Sequence, residues 1–139
     1  MRRLHLILTF LALGTGLGFG AAGAAETPMS AAEFETYSQG KTFYFGALGE
    51  PYGVEEYLDN RRVRWSFLDG ECKDGHWYEE GGMICFLYDD TPDDPQCWSF
   101  YRGPSGLVAR FENNPDSTEL YEVENSQEPM ICMGPDVGV

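Results

Sequence analysis

Positive charge is scarce in this chain. Nine Lys and Arg face 23 Asp and Glu among 139 residues, a net charge of −14. Such a surface cannot neutralise phosphates, which excludes nucleic acid as a partner. It disfavours an anionic membrane surface for the same reason, whereas a cationic partner or plain solubility fits. Histidine is scarcer still, with His5 and His76 the two copies. A Ser-His-Asp or Cys-His arrangement in the folded part would have to use His76. Ser66 and Ser99 sit in strand-like runs without the sharp turn that presents a nucleophilic serine. No C-x-x-C knuckle, phosphate-binding glycine loop, internal repeat or long low-complexity linker is present. Asn60-Arg61-Arg62 and Asn114-Pro115-Asp116 both fail the glycosylation pattern. Carboxylates are so numerous that choosing any pair for acid–base work would be arbitrary.

Long apolar runs are missing too. Leu4 to Leu13 is the longest, too short to span a bilayer. It follows Arg2-Arg3 and precedes the small-residue stretch Gly14 to Ala25. This order reads as a cleavable signal peptide over 1–25, with Ala22-Gly23-Ala24 fitting the cleavage pattern. Cysteine is absent from the cleavage region, which argues against a lipoprotein anchor. The remainder, 26–139, is expected to be one domain, periplasmic or secreted, with no membrane association after cleavage. Losing Arg2 and Arg3 leaves seven basic against 23 acidic residues, a net charge of −16. All eight tyrosines, all three tryptophans and seven phenylalanines survive, too many aromatics for a disordered tail.

Four cysteines are present: Cys72, Cys85, Cys97 and Cys132. An even count in an exported domain argues for two disulfides rather than a zinc site. Cys85 and Cys97 each lie six residues from Thr91, at the centre of an apparent hairpin loop. That symmetry predicts Cys85–Cys97 and leaves Cys72–Cys132.

Ser30-Ala31-Ala32-Glu33 is a capping box, so a short helix is expected from Ser30, ended by Gly40. Phe34 and Tyr37 share one face of it and can lie on a barrel mouth or sheet edge. Short β-rich runs follow. They are Thr42–Gly46, Tyr52–Leu58, Arg62–Leu68, Glu71–Glu79, Met83–Tyr88, Cys97–Arg102, Leu107–Phe111 and Glu119–Val123. Met130–Met133 is a candidate ninth. Asp69-Gly70 reads as a two-residue hairpin turn, Asp59-Asn60 as a turn and Asp74-Gly75 as a bulge. Val63, Trp65 and Phe67 are expected inward, as are Ile84, Phe86, Trp98 and Phe100, placing Cys85 and Cys97 on the outer face. The fold class is mainly β: a small antiparallel meander of about eight strands closing into a barrel, which hides its edges. Two-sheet sandwiches share these local patterns, but tight sequential hairpins favour the meander over a Greek key.

Trp65, Trp77 and Trp98, with Phe86, are candidates to line an apolar ligand pocket; filling the core is the competing use. The loop Asp89-Asp90-Thr91-Pro92-Asp93-Asp94-Pro95 carries four carboxylates, but its spacing does not match the EF-hand. It is expected to be a solvated hairpin tip, and Glu55-Glu56-Asp59 and Glu79-Glu80 to be exposed charges. Arg61, Arg62 and Arg64 are expected to pair with neighbouring acids. No catalytic residue, metal or cofactor is expected, and a monomer is assumed.

Tyr52-Gly53-Val54-Glu55-Glu56-Tyr57, Arg62-Val63-Arg64-Trp65 and the Gly75-x-Trp77, Ile84-Cys85-Phe86 and Cys97-Trp98 core resemble small exported proteins of alphaproteobacteria of the domain-of-unknown-function kind. Phe111-Glu112-Asn113 and Leu120-Tyr121-Glu122-Val123 extend the likeness. The resemblance implies a periplasmic β-rich domain and supplies no activity. Gly75-His76-Trp77 is also similar to the G-x-W of lipocalins. There the triplet belongs to the first strand, so barrel-like shape alone is carried over. The leading expectation is a non-enzymatic barrel that binds a small apolar ligand or a protein. The alternatives are an inhibitor or interaction module for a cationic protein such as a lysozyme, and a carboxylate-based hydrolase.

Overall fold

The computed structural model describes residues 26–114, 116–117 and 119–132. The expected signal peptide and Met133 lie outside the described residues. Among the described residues one α-helix, α1 (Ala31–Ser38), precedes eight strands. They are β1 (Thr42–Ala47), β2 (Glu50–Tyr57), β3 (Arg62–Ser66), β4 (Lys73–Glu80), β5 (Met83–Tyr88), β6 (Gln96–Gly103), β7 (Gly106–Phe111) and β8 (Leu120–Ser126). Each strand pairs antiparallel with the next, and β1 pairs with β8, so the sheet closes into a barrel with no free edge. Strands need little beyond alternation and a turn to form here. Val63 and Trp65 of β3 point inward while Arg62 and Arg64 point out, as the period of two demands.

Both disulfides follow the expected pairing. Cys85 stands directly opposite Cys97 across β5 and β6, and Cys72 is bonded to Cys132. Cys85 alternates with Ile84 and Phe86 of the core, so its side chain faces outward although it is fully covered.

The capping box forms, with Ser30 accepting from the Glu33 amide and Glu33 accepting from Ser30. Helix α1 stops at Ser38, and Gly40 follows at φ 75°, a left-handed value that suits glycine. Its role is tertiary rather than local. Phe34 is fully buried at one end of the barrel, against Tyr57, Trp77, Phe86 and Phe100. Burying one such side chain stabilises by about 2–3 kcal/mol. Tyr37 stacks on Phe43 at 5.5 Å and donates a hydrogen bond to the buried carboxylate of Glu122 at 2.9 Å. Glu122 also accepts from the Leu107 amide at 2.7 Å, so it ties helix to barrel. Helix α1 is thus a plug.

Several expectations change. Asp69-Gly70 is not a tight hairpin: residues 67–72 form a wider connection, with Leu68 at φ 65° and the Leu68 amide donating to Ser66 Oγ. Asp59-Asn60 does lie in a turn, the single 3-10 turn Asp59–Arg61, as expected. The register through Asp74-Gly75 runs without a shift, so no bulge forms there. Gly75 is required instead by crowding, since a Cβ would lie 2.6 Å from the Leu87 carbonyl. Residues 130–132 form no strand; Met130 is buried and Cys132 is held covalently, without a sheet ladder.

Candidate functional site

Above the plug the barrel is hollow. A cavity of about 130 Å³ is lined by Phe45, Tyr52, Glu55, Tyr57, Trp65, Phe67, Lys73, Phe86, Tyr88, Thr91, Gln96, Trp98, Phe100, Ala109 and Leu120. Tyr57, Phe86 and Phe100 line it and also touch Phe34, so the plug residue lies beneath its floor. Tyr52 and Phe67 are partly exposed and mark the mouth.

Tyr52 reaches this mouth through a backbone irregularity. Phe45 pairs with Gly53 while Gly46 pairs with Pro51, so Tyr52 is an extra residue on β2. Bulges at barrel rims re-aim side chains. Here the ring lies 6.0 Å from both Trp65 and Phe67, and Trp65 and Phe67 meet edge to face at 5.3 Å. Gly53 makes room for this wall: any Cβ there would collide with the Trp65 indole.

Of the expected ligand-binding residues, the cavity brings together Trp65, Trp98 and Phe86. Trp77 lies elsewhere, packed on Phe34 at 5.3 Å with the Arg61 guanidinium 4.3 Å from its ring. Its use is core filling beside the plug.

The residue missed by sequence reasoning is Glu55. Expected as an exposed charge, it is buried, at 4% exposure, on the cavity wall. Its neighbour Glu56 is buried on the outer side, near Arg64 and the Met130 amide. Glu55 shares strand parity with Tyr57, and that was the available signal. The Tyr88 hydroxyl donates to Glu55 at 3.1 Å. Burial raises the Glu55 carboxyl from its ordinary 4.5 to about 8, and the Tyr88 hydrogen bond offsets this in part. The hydroxyls of Tyr57 and Tyr88 are pushed well above 10, first by burial and then by the Glu55 charge. The Tyr57 hydroxyl has no hydrogen-bond partner among the described residues.

The acidic loop is a hairpin tip whose first two carboxylates pair with Arg62 and Lys73, at 2.8 and 2.9 Å. Arg61 pairs with Glu35 and Arg64 with Asp74, each at 2.8 Å. His76, Ser66 and Ser99 are not among the lining residues. Among the described residues the lining holds one carboxylate, Glu55, and no carboxylate pair. No family model, curated protein or solved structure matches this chain.

Proposed function

We propose that the protein is a non-enzymatic binding barrel that holds a small, largely apolar ligand. The observation that carries this reading is the open, aromatic-walled cavity above Phe34. Nine of its fifteen lining residues are aromatic, and few polar groups converge on it, the usual make-up of a small-molecule site. At about 130 Å³ it suits a body of about benzene size, as an apolar cavity of about 150 Å³ does. The two disulfides support an oxidising compartment, and the proposed location is the bacterial periplasm or the extracellular medium. Likeness to exported alphaproteobacterial proteins belongs to the same proposal.

Ethylbenzene is a suitable probe. Trp65 and Trp98 line the cavity, so its entry is expected to give a saturable change in tryptophan fluorescence. Failure of ethylbenzene and of its polar analogues benzylamine and benzaldehyde to bind saturably would remove the reading. Mass spectrometry of the protein purified from its native compartment would identify a retained ligand.

A second reading, an interaction module for a cationic protein such as a lysozyme, has its own support. The chain carries a net charge of −14. An outer groove is formed by Tyr44, Leu68, Tyr121 and Val123, flanked by Glu50 and Glu124. Salt-sensitive binding to a basic enzyme is required of it, and no binding at low ionic strength would end it.

A further inference from the structure

Glu55 stands on the cavity wall without a positive partner among the described residues. Seven basic residues lie in the described chain, and each is engaged elsewhere. Arg61, Arg62, Arg64, Lys73 and Arg110 pair with acids. Lys41 donates to the Tyr37 carbonyl, and Arg102 lies 4.0 Å from the Tyr37 ring centre. Lys73, at the mouth, is held by Asp90 at 2.9 Å. Tyr57 also lines this cavity, and its buried hydroxyl has no hydrogen-bond partner among the described residues. Around both groups stand aromatic faces, which attract cations through their quadrupoles. A buried carboxyl, an orphaned hydroxyl oxygen and ring faces form an incomplete constellation. A cation bearing N–H groups completes it.

We propose that the ligand of this cavity is a small organic cation. It is a protonated primary amine on an apolar body of about benzene size, its N–H groups donating to the Glu55 carboxylate and the Tyr57 hydroxyl oxygen. The inference rests on the cavity being a ligand site, and adds the class of ligand. The −14 charge of the chain favours approach of such a cation. The cation holds Glu55 ionised, so binding below about pH 8 displaces the proton that burial retains there. The titratable groups that line the cavity with Glu55 are Tyr52 and Tyr57 on its own strand, Tyr88 from β5, and Lys73 from β4, which pairs with Asp90; β1, β3 and β6 contribute Phe45, Trp65, and Gln96 with Trp98.

The test compares benzylamine with its uncharged isostere ethylbenzene, and with benzaldehyde, by calorimetry and tryptophan fluorescence on the disulfide-bonded protein. At pH 8 benzylamine is expected to bind about tenfold or more tightly than ethylbenzene. Its affinity is expected to fall roughly tenfold per pH unit below 8, with ethylbenzene unaffected. In E55Q the ratio of the two affinities falls to about one. Equal, pH-independent binding of benzylamine and ethylbenzene would overturn the cation assignment and leave the cavity reading standing. Tighter binding of benzaldehyde would also overturn it, because Glu55 would then serve as a neutral donor. If none of the three binds, the cavity reading falls and the cation with it. The pH dependence in the unaltered protein keeps the test decisive if E55Q folds poorly.

Discussion

Replacing Glu55 with Gln separates the cost of the buried acid from its shape. The folded protein keeps the Glu55 proton up to about pH 8, whereas the ordinary value is 4.5. Between these values the folded state holds more protons than the unfolded one, so stability falls as pH rises. The contribution is fully present below about 4.5 and is lost as pH climbs through 8. At about 1.4 kcal/mol per pH unit, the interval corresponds to on the order of 5 kcal/mol. That is a large part of the ~5–15 kcal/mol typical of a domain. In E55Q the Tyr88 hydroxyl can still donate to the amide oxygen, and the cavity keeps its size, so the acid-side cost is small. The expected result is near-equality at pH 5 and a more stable E55Q at pH 9, by up to several kcal/mol. Urea unfolding followed by tryptophan fluorescence, without reductant, measures both. The hydroxyls of Tyr57 and Tyr88 stay protonated across this range, because burial holds them well above 10. Carboxyls lowered by partners, such as Glu35 beside Arg61 and Asp89 beside Arg62, act in the opposite sense and on the acid side. A stability difference that is the same at pH 5 and pH 9 would refute the reasoning.

Phe34→Ala removes the plug's fully buried ring and is expected to destabilise by about 3–5 kcal/mol in urea unfolding. Gly53→Ala places a methyl against the Trp65 indole, so Trp65 must move and ethylbenzene binding should weaken at least severalfold in fluorescence titration. The double change Cys85→Ser with Cys97→Ser opens a twelve-residue separation and should cost about 3 kcal/mol by the same unfolding assay. Peptide mapping of the unaltered protein without reductant should recover Cys85–Cys97 and Cys72–Cys132 peptides, and a Cys72–Cys85 peptide would contradict the fold.

What the sequence made legible was local or symmetric. Alternation places Val63 and Trp65 inward with no knowledge of distant residues, and equal spacing about Thr91 aligns Cys85 with Cys97. What escaped depends on contacts far apart in the chain. Trp65, Trp77 and Trp98 look alike as strand residues. Only the seating of Phe34 beside Trp77 decides which end of the barrel is filled and which is hollow. Tyr52 reaches the mouth through a bulge between Pro51 and Gly53, whose place is set by the pairing with β1. Glu55-Glu56 reads as a charged doublet, yet a strand must send one of two neighbours inward: closure of the barrel buries Glu55, and the segment around Met130 helps cover Glu56 on the outer side. Asp69-Gly70 carries a hairpin signature but sits in a connection shaped by Ser66, Leu68 and the nearby Cys72 disulfide.

The central claim is that the barrel interior above Phe34 is a ligand site. Its most direct test is a crystal structure of the protein soaked with benzylamine. The account predicts the aromatic ring between Trp65 and Trp98, with the amine nitrogen in hydrogen-bond reach of Glu55. An interior filled by the protein's own side chains, with no molecule admitted, would contradict it.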